Sequence, residues 1–279
     1  MSGSSQASPN PFPPPQVESK DIIVDHSKSS RMRLYVPTTA LNGGVASKKL
    51  PLVVYFHAGV FTSRNVFESE IFTLVVGGIA CEINVVVAAA SYRLAPENKL
   101  PAAYEDGVDA VEWLRNNSEE DEWLKSYADL SNVFLMGTGT GGNVAYNVGL
   151  RFAEEVLTPL SIRGLILESP LFSGEELFPS ERGHLLTLTD VSVLDSYWML
   201  CLPDGADRDH EYSNPTVGAG PDNMEKIVRS GWKVMVRGGG DTLREVARLM
   251  KKKGVDVMGR LNSEDQDASV RSFIYSSAP

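Results

Sequence analysis

The chain has 279 residues, 42% of them hydrophobic, enough for one well-buried core as a single α/β domain or two small ones. Its formal net charge of −10 argues against nucleic acid and against anionic membranes as partners, without naming a substrate. Cys81 and Cys201 are the only cysteines, too few and too far apart for a disulfide framework or a zinc cluster.

Residues 1–20, MSGSSQASPNPFPPPQVESK, are rich in Ser and Pro. Such a segment cannot bury a core, and a flexible tail is expected, with one folded domain over residues 21–279. The N-terminus lacks a charged region followed by an apolar one, so no secretory signal is expected. No run of 18 apolar residues is free of charge, so no membrane span is expected either. With two thiols that read as buried and reduced, the expected compartment is the cytoplasm, the nucleus being the other reducing choice. Asn116-Asn117-Ser118 spells a glycosylation sequon, which without a signal reads as chance.

RMRLYVP (31–37) alternates in hydrophobicity and predicts an edge strand ended by Pro37. TALNGGVASKK (39–49) predicts a loop. LPLVVYFHAG (50–59) is a continuous apolar run, suited to a strand buried on both faces of a parallel sheet. A helix through FESEIFTLVVGGIACEI and a buried strand in NVVVAAASYR follow. LPAAYEDGVDAVEWLRNN predicts an amphipathic helix, with Val108, Val111 and Leu114 near helical spacing. NVFLMG, IRGLILESP and GWKVMVRGGGD read as strands, and GGNVAYNVGLRFAEEV and LREVARLMKKKG as helices. This alternation implies right-handed βαβ units around a parallel sheet. Residues 172–230 break the rhythm with aromatic, Pro and charged residues, where a cap over an active site would sit. No internal repeat is visible.

The stretch VFLMGTGTGGN (133–143) admits two chemistries. Gly137, Gly139 and Gly142 spell G-x-G-x-x-G between a strand and a helix, as in a dinucleotide cradle. Glu168, at the end of the next strand, would then hold ribose, but it lies late for that role and two strand–helix units precede the loop. The other chemistry is the nucleophile elbow, a strand–turn–helix spelled G-x-S-x-G. Gly137 and Gly141 occupy its flanks and Gly139 stands at its apex, where the serine belongs. The backbone N–H of Thr140 would then serve an oxyanion hole, together with the loop FHAGVF (56–61).

VVYFHAGVF, SYRLAPENKLPAAYEDGVDAVEWL, NVFLMGTGTGGNVAYNVGLR, RGLILESPLF, DRDHEYSNPT and GWKVMV follow one another in this order. Together they resemble the plant carboxylesterases of the hormone-sensitive-lipase type, the group that holds the gibberellin receptor and the 2-hydroxyisoflavanone dehydratases. The resemblance covers nearly the whole folded part. It implies an α/β-hydrolase fold, with a mostly parallel central sheet, helices on both faces and a small cap insertion. It also demotes the dinucleotide-binding oxidoreductase to a minor alternative.

The resemblance makes the departures informative. The family elbow reads roughly G-x-S-A-G-G-N; here Gly139 has no side chain to form an acyl-enzyme, and Thr138 and Thr140, one position off, point elsewhere. The family oxyanion loop is H-G-G-G-F; here it is His57-Ala58-Gly59-Val60-Phe61, and Ala58 and the β-branched Val60 are expected to disturb it. His57 in this motif is structural. Asp241, in GGGDTLREV, matches the family's triad acid, and equally suits a helix N-cap. The base should follow KKKGVDVMGRL, a stretch that is shortened here and holds no histidine. His26, His57, His184 and His210 all lie upstream, and His210 reads as part of a charged turn with Asp207, Arg208 and Asp209.

The expectation is therefore a carboxylesterase homologue that has lost nucleophile and base, retains a pocket for a small hydrophobic metabolite or ester, and needs neither cofactor nor metal. The alternative is an enzyme that reuses the pocket, as a weak ester hydrolase or for elimination or cyclisation, with Tyr92, Asp241, Thr138 and Thr140 as its polar groups.

Overall fold

No polar residue but Tyr55 interrupts Leu50–Phe56, and all seven residues of this strand are buried. A strand covered on both faces must lie inside a parallel sheet with helices on either side. The computed structural model describes residues 15–43, 48–63, 67–176, 191–259 and 269–277. In chain order the elements are β1 (Val17–Asp25), β2 (Ser30–Pro37), α1 (Thr38–Asn42), β3 (Leu50–Phe56), α2 (Glu70–Ile83), β4 (Val86–Ala90), α3 (Ala102–Asn117), α4 (Glu122–Tyr127), β5 (Ala128–Thr138) and α5 (Thr140–Phe152). They continue with β6 (Ile162–Glu168), α6 (Val191–Cys201), α7 (Gly220–Ser230), β7 (Lys233–Arg237), α8 (Asp241–Lys253), β8 (Asp256–Met258) and α9 (Val270–Ser276).

The eight strands form one sheet in the order β1-β2-β4-β3-β5-β6-β7-β8. β1 and β2 run antiparallel to their neighbours, and every other pairing is parallel. The two-residue period of a strand divides the core in two. Leu52, Val54, Phe56, Val133 and Leu135 join Val111 and Leu114 of α3 and Val144 and Val148 of α5. Val53, Tyr55, Phe134 and Met136 turn the other way, to Phe72 and Val76 of α2 and Phe273 of α9. Helices thus cover both faces, and an α/β-hydrolase sheet results.

Four sequence expectations change. The tail does not extend to residue 20, because Val17–Lys20 already pair with β2; residues 1–14 lie outside the described part. RMRLYVP is not an edge strand, since β2 is flanked by β1 and β4; its alternation arises because Arg31 and Arg33 are only partly covered. The stretch read as a loop from residue 39 begins inside helix α1. The cap-like insertion ends before residue 220: α7 packs on α5 and α8 and is the crossover helix that leads into β7. Its Gly220 start and left-handed Gly231 end were readable as helix punctuation.

Candidate active site

Parallel strands that end together create a crevice at their C-terminal edge. Here Phe56 of β3 stands beside Gly137 of β5, Thr138 beside Glu168 of β6, and Glu168 beside Arg237 of β7. The loops that follow these residues, 57–61, 139–140, 169–173 and 238–241, meet at one rim.

Gly139 joins β5 to α5 with φ 58° and ψ −121°, a sharp reversal outside the regular regions. Its amide donates to Glu168 O (2.9 Å), and its carbonyl accepts from the amides of Gly142 (3.0 Å), Asn143 (3.3 Å) and Leu171 (2.9 Å). The flanking glycines are sterically required. A Cβ on Gly137 would stand 2.0 Å from Gly141 O, one on Gly141 2.0 Å from Phe56 O, and one on Gly142 2.9 Å from Pro170 Cβ. At the apex there is room: a Cβ on Gly139 would meet Ala58 Cβ at 3.4 Å, an ordinary contact. The same geometry overturns the dinucleotide reading. The turn is tight, two of its amides are committed to Gly139 O, and Glu168 is ion-paired with Arg237 (3.1 Å) instead of free for a ribose.

The loop after β3 faces this apex through Ala58. His57 is buried and stacks on Tyr92 with ring centroids 4.3 Å apart. Its Nδ1 lies 2.6 Å from Ala58 O, and since a carbonyl only accepts, Nδ1 carries the proton. Burial lowers the His57 pKa, so the ring is neutral near pH 7. The Tyr92 hydroxyl donates to His57 O at 2.7 Å, and burial holds its pKa well above the usual phenol range. The loop adopts positive φ at three successive residues, 141° at Gly59, 53° at Val60 and 58° at Phe61, the last two in the region that favours glycine. Its neighbours impose that shape. Thr62 and Ser63 amides donate to Gly59 O, the Ala95 amide donates to Phe61 O, and the buried Phe61 ring sits between Tyr92 and Trp198. For β-branched Val60 this conformation costs on the order of 1–3 kcal/mol.

The remaining candidates separate. Thr138 accepts a hydrogen bond from the Tyr55 hydroxyl (3.1 Å), a partner the sequence reading missed because Tyr55 looked like one more core residue. Thr140 is buried in the first turn of α5, its hydroxyl without a hydrogen bond of normal geometry although Tyr92 is nearby. Asp241 opens α8 as its first residue, after Gly240, and pairs with Arg244 at 2.6 Å. The i,i+3 spacing of that pair was legible in the sequence. His210 accepts from the Tyr212 amide (3.2 Å) within the turn 207–214, where Asp209 accepts from Asn214. Arg208 is buried there, 2.6 Å from Asp195 of α6. His184 lies outside the described residues. Among the described residues no group of three or more His, Cys, Asp or Glu is placed to hold a metal ion, and no helix is long and apolar enough to cross a membrane.

A family model of the alpha/beta hydrolase fold matches residues 53–266. Carboxylesterase 20 of Arabidopsis thaliana is 49% identical over 284 residues, covering 96% of this chain and 86% of its own. The 3-O-acetylpapaveroxine carboxylesterase CXE2 of Papaver somniferum is 37% identical, over 89% of this chain and 83% of its own. The gibberellin receptor GID1A of Arabidopsis thaliana is 34% identical, over 74% of this chain and 61% of its own. Among solved structures, an esterase from Rhizomucor miehei superposes with a TM-score of 0.71 over 96% of this chain and 84% of its own, at 19% identity, which speaks to the fold alone. The sheet order, the tight turn at Gly139 and these likenesses agree: the chain belongs to the plant carboxylesterase family of α/β-hydrolases.

Proposed function

We propose that this carboxylesterase homologue does not hydrolyse esters in the manner of its family and acts through binding of a small hydrophobic metabolite or ester at the crevice. The observation that carries the reading is Gly139. It holds an elbow-like turn, space is present for a side chain, and there is no hydroxyl to attack a carbonyl. No histidine follows residue 210, so residues 259–279, where the family places its base, offer none. Triad members act as a unit, so the loss of nucleophile and base together removes several orders of magnitude in rate. The compartment that suits such a binder, given its two unpaired thiols, is the cytoplasm.

The rival reading, an enzyme that reuses the crevice, finds little support in its polar groups. Tyr92 donates its proton to His57 O and is held protonated by burial, and Asp241 is paired with Arg244. Neither is placed as a proton carrier.

The test compares p-nitrophenyl acetate turnover in the wild type, in Gly139→Ser, and in Gly139→Ser carrying a relative's histidine-bearing C-terminal segment. Near-background rates are expected for the first two, because a serine without a base is a weak nucleophile. Robust turnover by the wild type, or by the single substitution, sinks the proposal and makes His210 the first base to examine.

A further inference from the structure

Helix α2 packs on the sheet through Phe72, Val76, Ala80 and Ile83. That packing does not account for its outer side. There Ile71 is 73% exposed, Leu74 43% and Val75 50%. With Gly78 they occupy positions i, i+3, i+4 and i+7, one continuous apolar stripe turned away from the core. Single exposed apolar residues need no explanation, but a stripe at helical spacing has the form of a packing face without its cover. The stripe also widens sideways. Half-exposed Ile23 lies on the same face of β1 as Val17, which turns towards Gly77 of α2. On the other flank the half-exposed Tyr275 of α9 is held to the end of α2 by its hydroxyl, which donates to Asn84 O (2.7 Å).

Shape says what cover fits. The midpoint of the stripe falls between Leu74 and Val75, and Ile71 stands as far to one side of it as Gly78 to the other. Two copies of α2 laid antiparallel about a two-fold axis through that midpoint set Ile71 of each over Gly78 of the other, and bring Leu74 and Val75 against their own copies. A Cβ built on Gly78 meets nothing within 4 Å, so the seat opposite Ile71 is open and the two backbones can approach. Charge agrees with this pairing. Glu70 and Glu82 bound the stripe at its two ends, and no charged residue interrupts it between them. Arg271 reaches Glu82 O at 3.5 Å, and among the described residues neither Arg271 nor Glu70 has an ion-pair partner. Antiparallel pairing brings the Glu70 end of one helix to the Arg271 end of the other and sets the two helix dipoles in their favourable opposition. The result is an apolar centre with a polar rim, the usual anatomy of an interface. The acidic rim, on a chain of net charge −10, opposes an anionic membrane as the alternative cover.

We propose that the outer stripe of α2 is a self-association surface, through which two copies of this chain pair by antiparallel α2 helices. With three apolar side chains per copy at its centre the interface is small, so the dimer is reversible, with a Kd on the order of 10–100 µM. The inference does not rest on how the crevice acts.

The experiment is sedimentation velocity on the full chain from about 5 to 500 µM, a range over which mass action moves such a protein from monomer to dimer. Leu74→Glu should associate at least about tenfold more weakly. Gly78→Leu should do the same, because it blocks the seat of Ile71. In the single chain its side chain enters open space, and leucine favours a helix over glycine, so this variant should unfold no earlier than the wild type. The inference is overturned if the wild type remains a monomer at the highest concentration, or if either variant, folded, associates as the wild type does. A monomeric wild type that Leu74→Glu makes less stable also overturns it, and assigns the stripe to residues 1–14, which lead into Pro15 beside Gly77.

Discussion

The elbow at 137–142 and the loop at 57–61 face each other across one crevice, and they obey different constraints. In the elbow, side chains at Gly137 or Gly141 would collide with backbone oxygens at 2.0 Å. No rotation relieves such a collision. In the loop, Val60 occupies φ 53° where the family spells glycine, and the strain is a dihedral one. Dihedral strain of a kcal/mol or so is tolerated where surrounding contacts over-determine the conformation. Phe61, Tyr92, Trp198 and the Gly59 carbonyl supply those contacts. Gly139 falls between the two cases, with positive φ and, for an added Cβ, only an ordinary contact with Ala58.

The sharpest way to break this comparison is at Gly141. Gly141→Ala should cost more than about 4 kcal/mol or abolish folding, the magnitude reserved for severe clashes. Gly139→Ala should cost only about 1–3 kcal/mol, the strain of a side chain at positive φ. Urea denaturation midpoints measure both, and equal losses at the two positions would end the distinction.

Phe61 tests the loop's anchorage. It is 2% exposed, so Phe61→Ala should cost about 3–5 kcal/mol through lost burial and a cavity. A loss under about 1 kcal/mol would mean that the ring does not hold the loop.

His57 sharpens the comparison through pH. Burial lowers its pKa in the folded state, so the unfolded state binds the proton more readily. Its contribution to stability is full above the unfolded value of about 6.5 and declines as pH falls below that, by at most about 1.4 kcal/mol per pH unit. Stability curves of wild type and His57→Gln, measured from neutral pH downward, should diverge in that window. Parallel curves would show that the imidazole is solvated.

Val60→Gly should have the smallest effect. It removes about 1–3 kcal/mol of dihedral strain and adds about 0.5–1 kcal/mol of chain entropy to the unfolded state. Stability should hold or rise by about 1 kcal/mol, read from the thermal midpoint. A clear fall would show that the isopropyl group's contacts, and not the backbone's neighbours, maintain the loop.

The amino-acid pattern alone determined the alternation of strands and helices, because apolar runs such as Leu50–Phe56 and amphipathic stretches such as Ala102–Asn117 have local, periodic causes. Gly139 between Gly137 and Gly141, and His210 as the last histidine of the sequence, are likewise facts of spelling. Helices α1 and α9 escaped notice because a one- or two-turn helix has too few residues to show a period; the Ser269 cap before Val270 was the only local sign. What spelling could not decide depends on residues distant in sequence. β2 became interior because Val17–Asp25 pairs outside it. The loop at 57–61 holds Val60 at positive φ among contacts with Tyr92, Ala95 and Trp198, which arrive from elsewhere in the chain. Backbone oxygens bar a Cβ at Gly137 and Gly141, whereas at Gly139 only Ala58 approaches and the obstacle is the positive φ. Periodicity is written between near neighbours, whereas steric collision and the hydrogen bonds that tolerate strain arise between segments that only the folded sheet brings together.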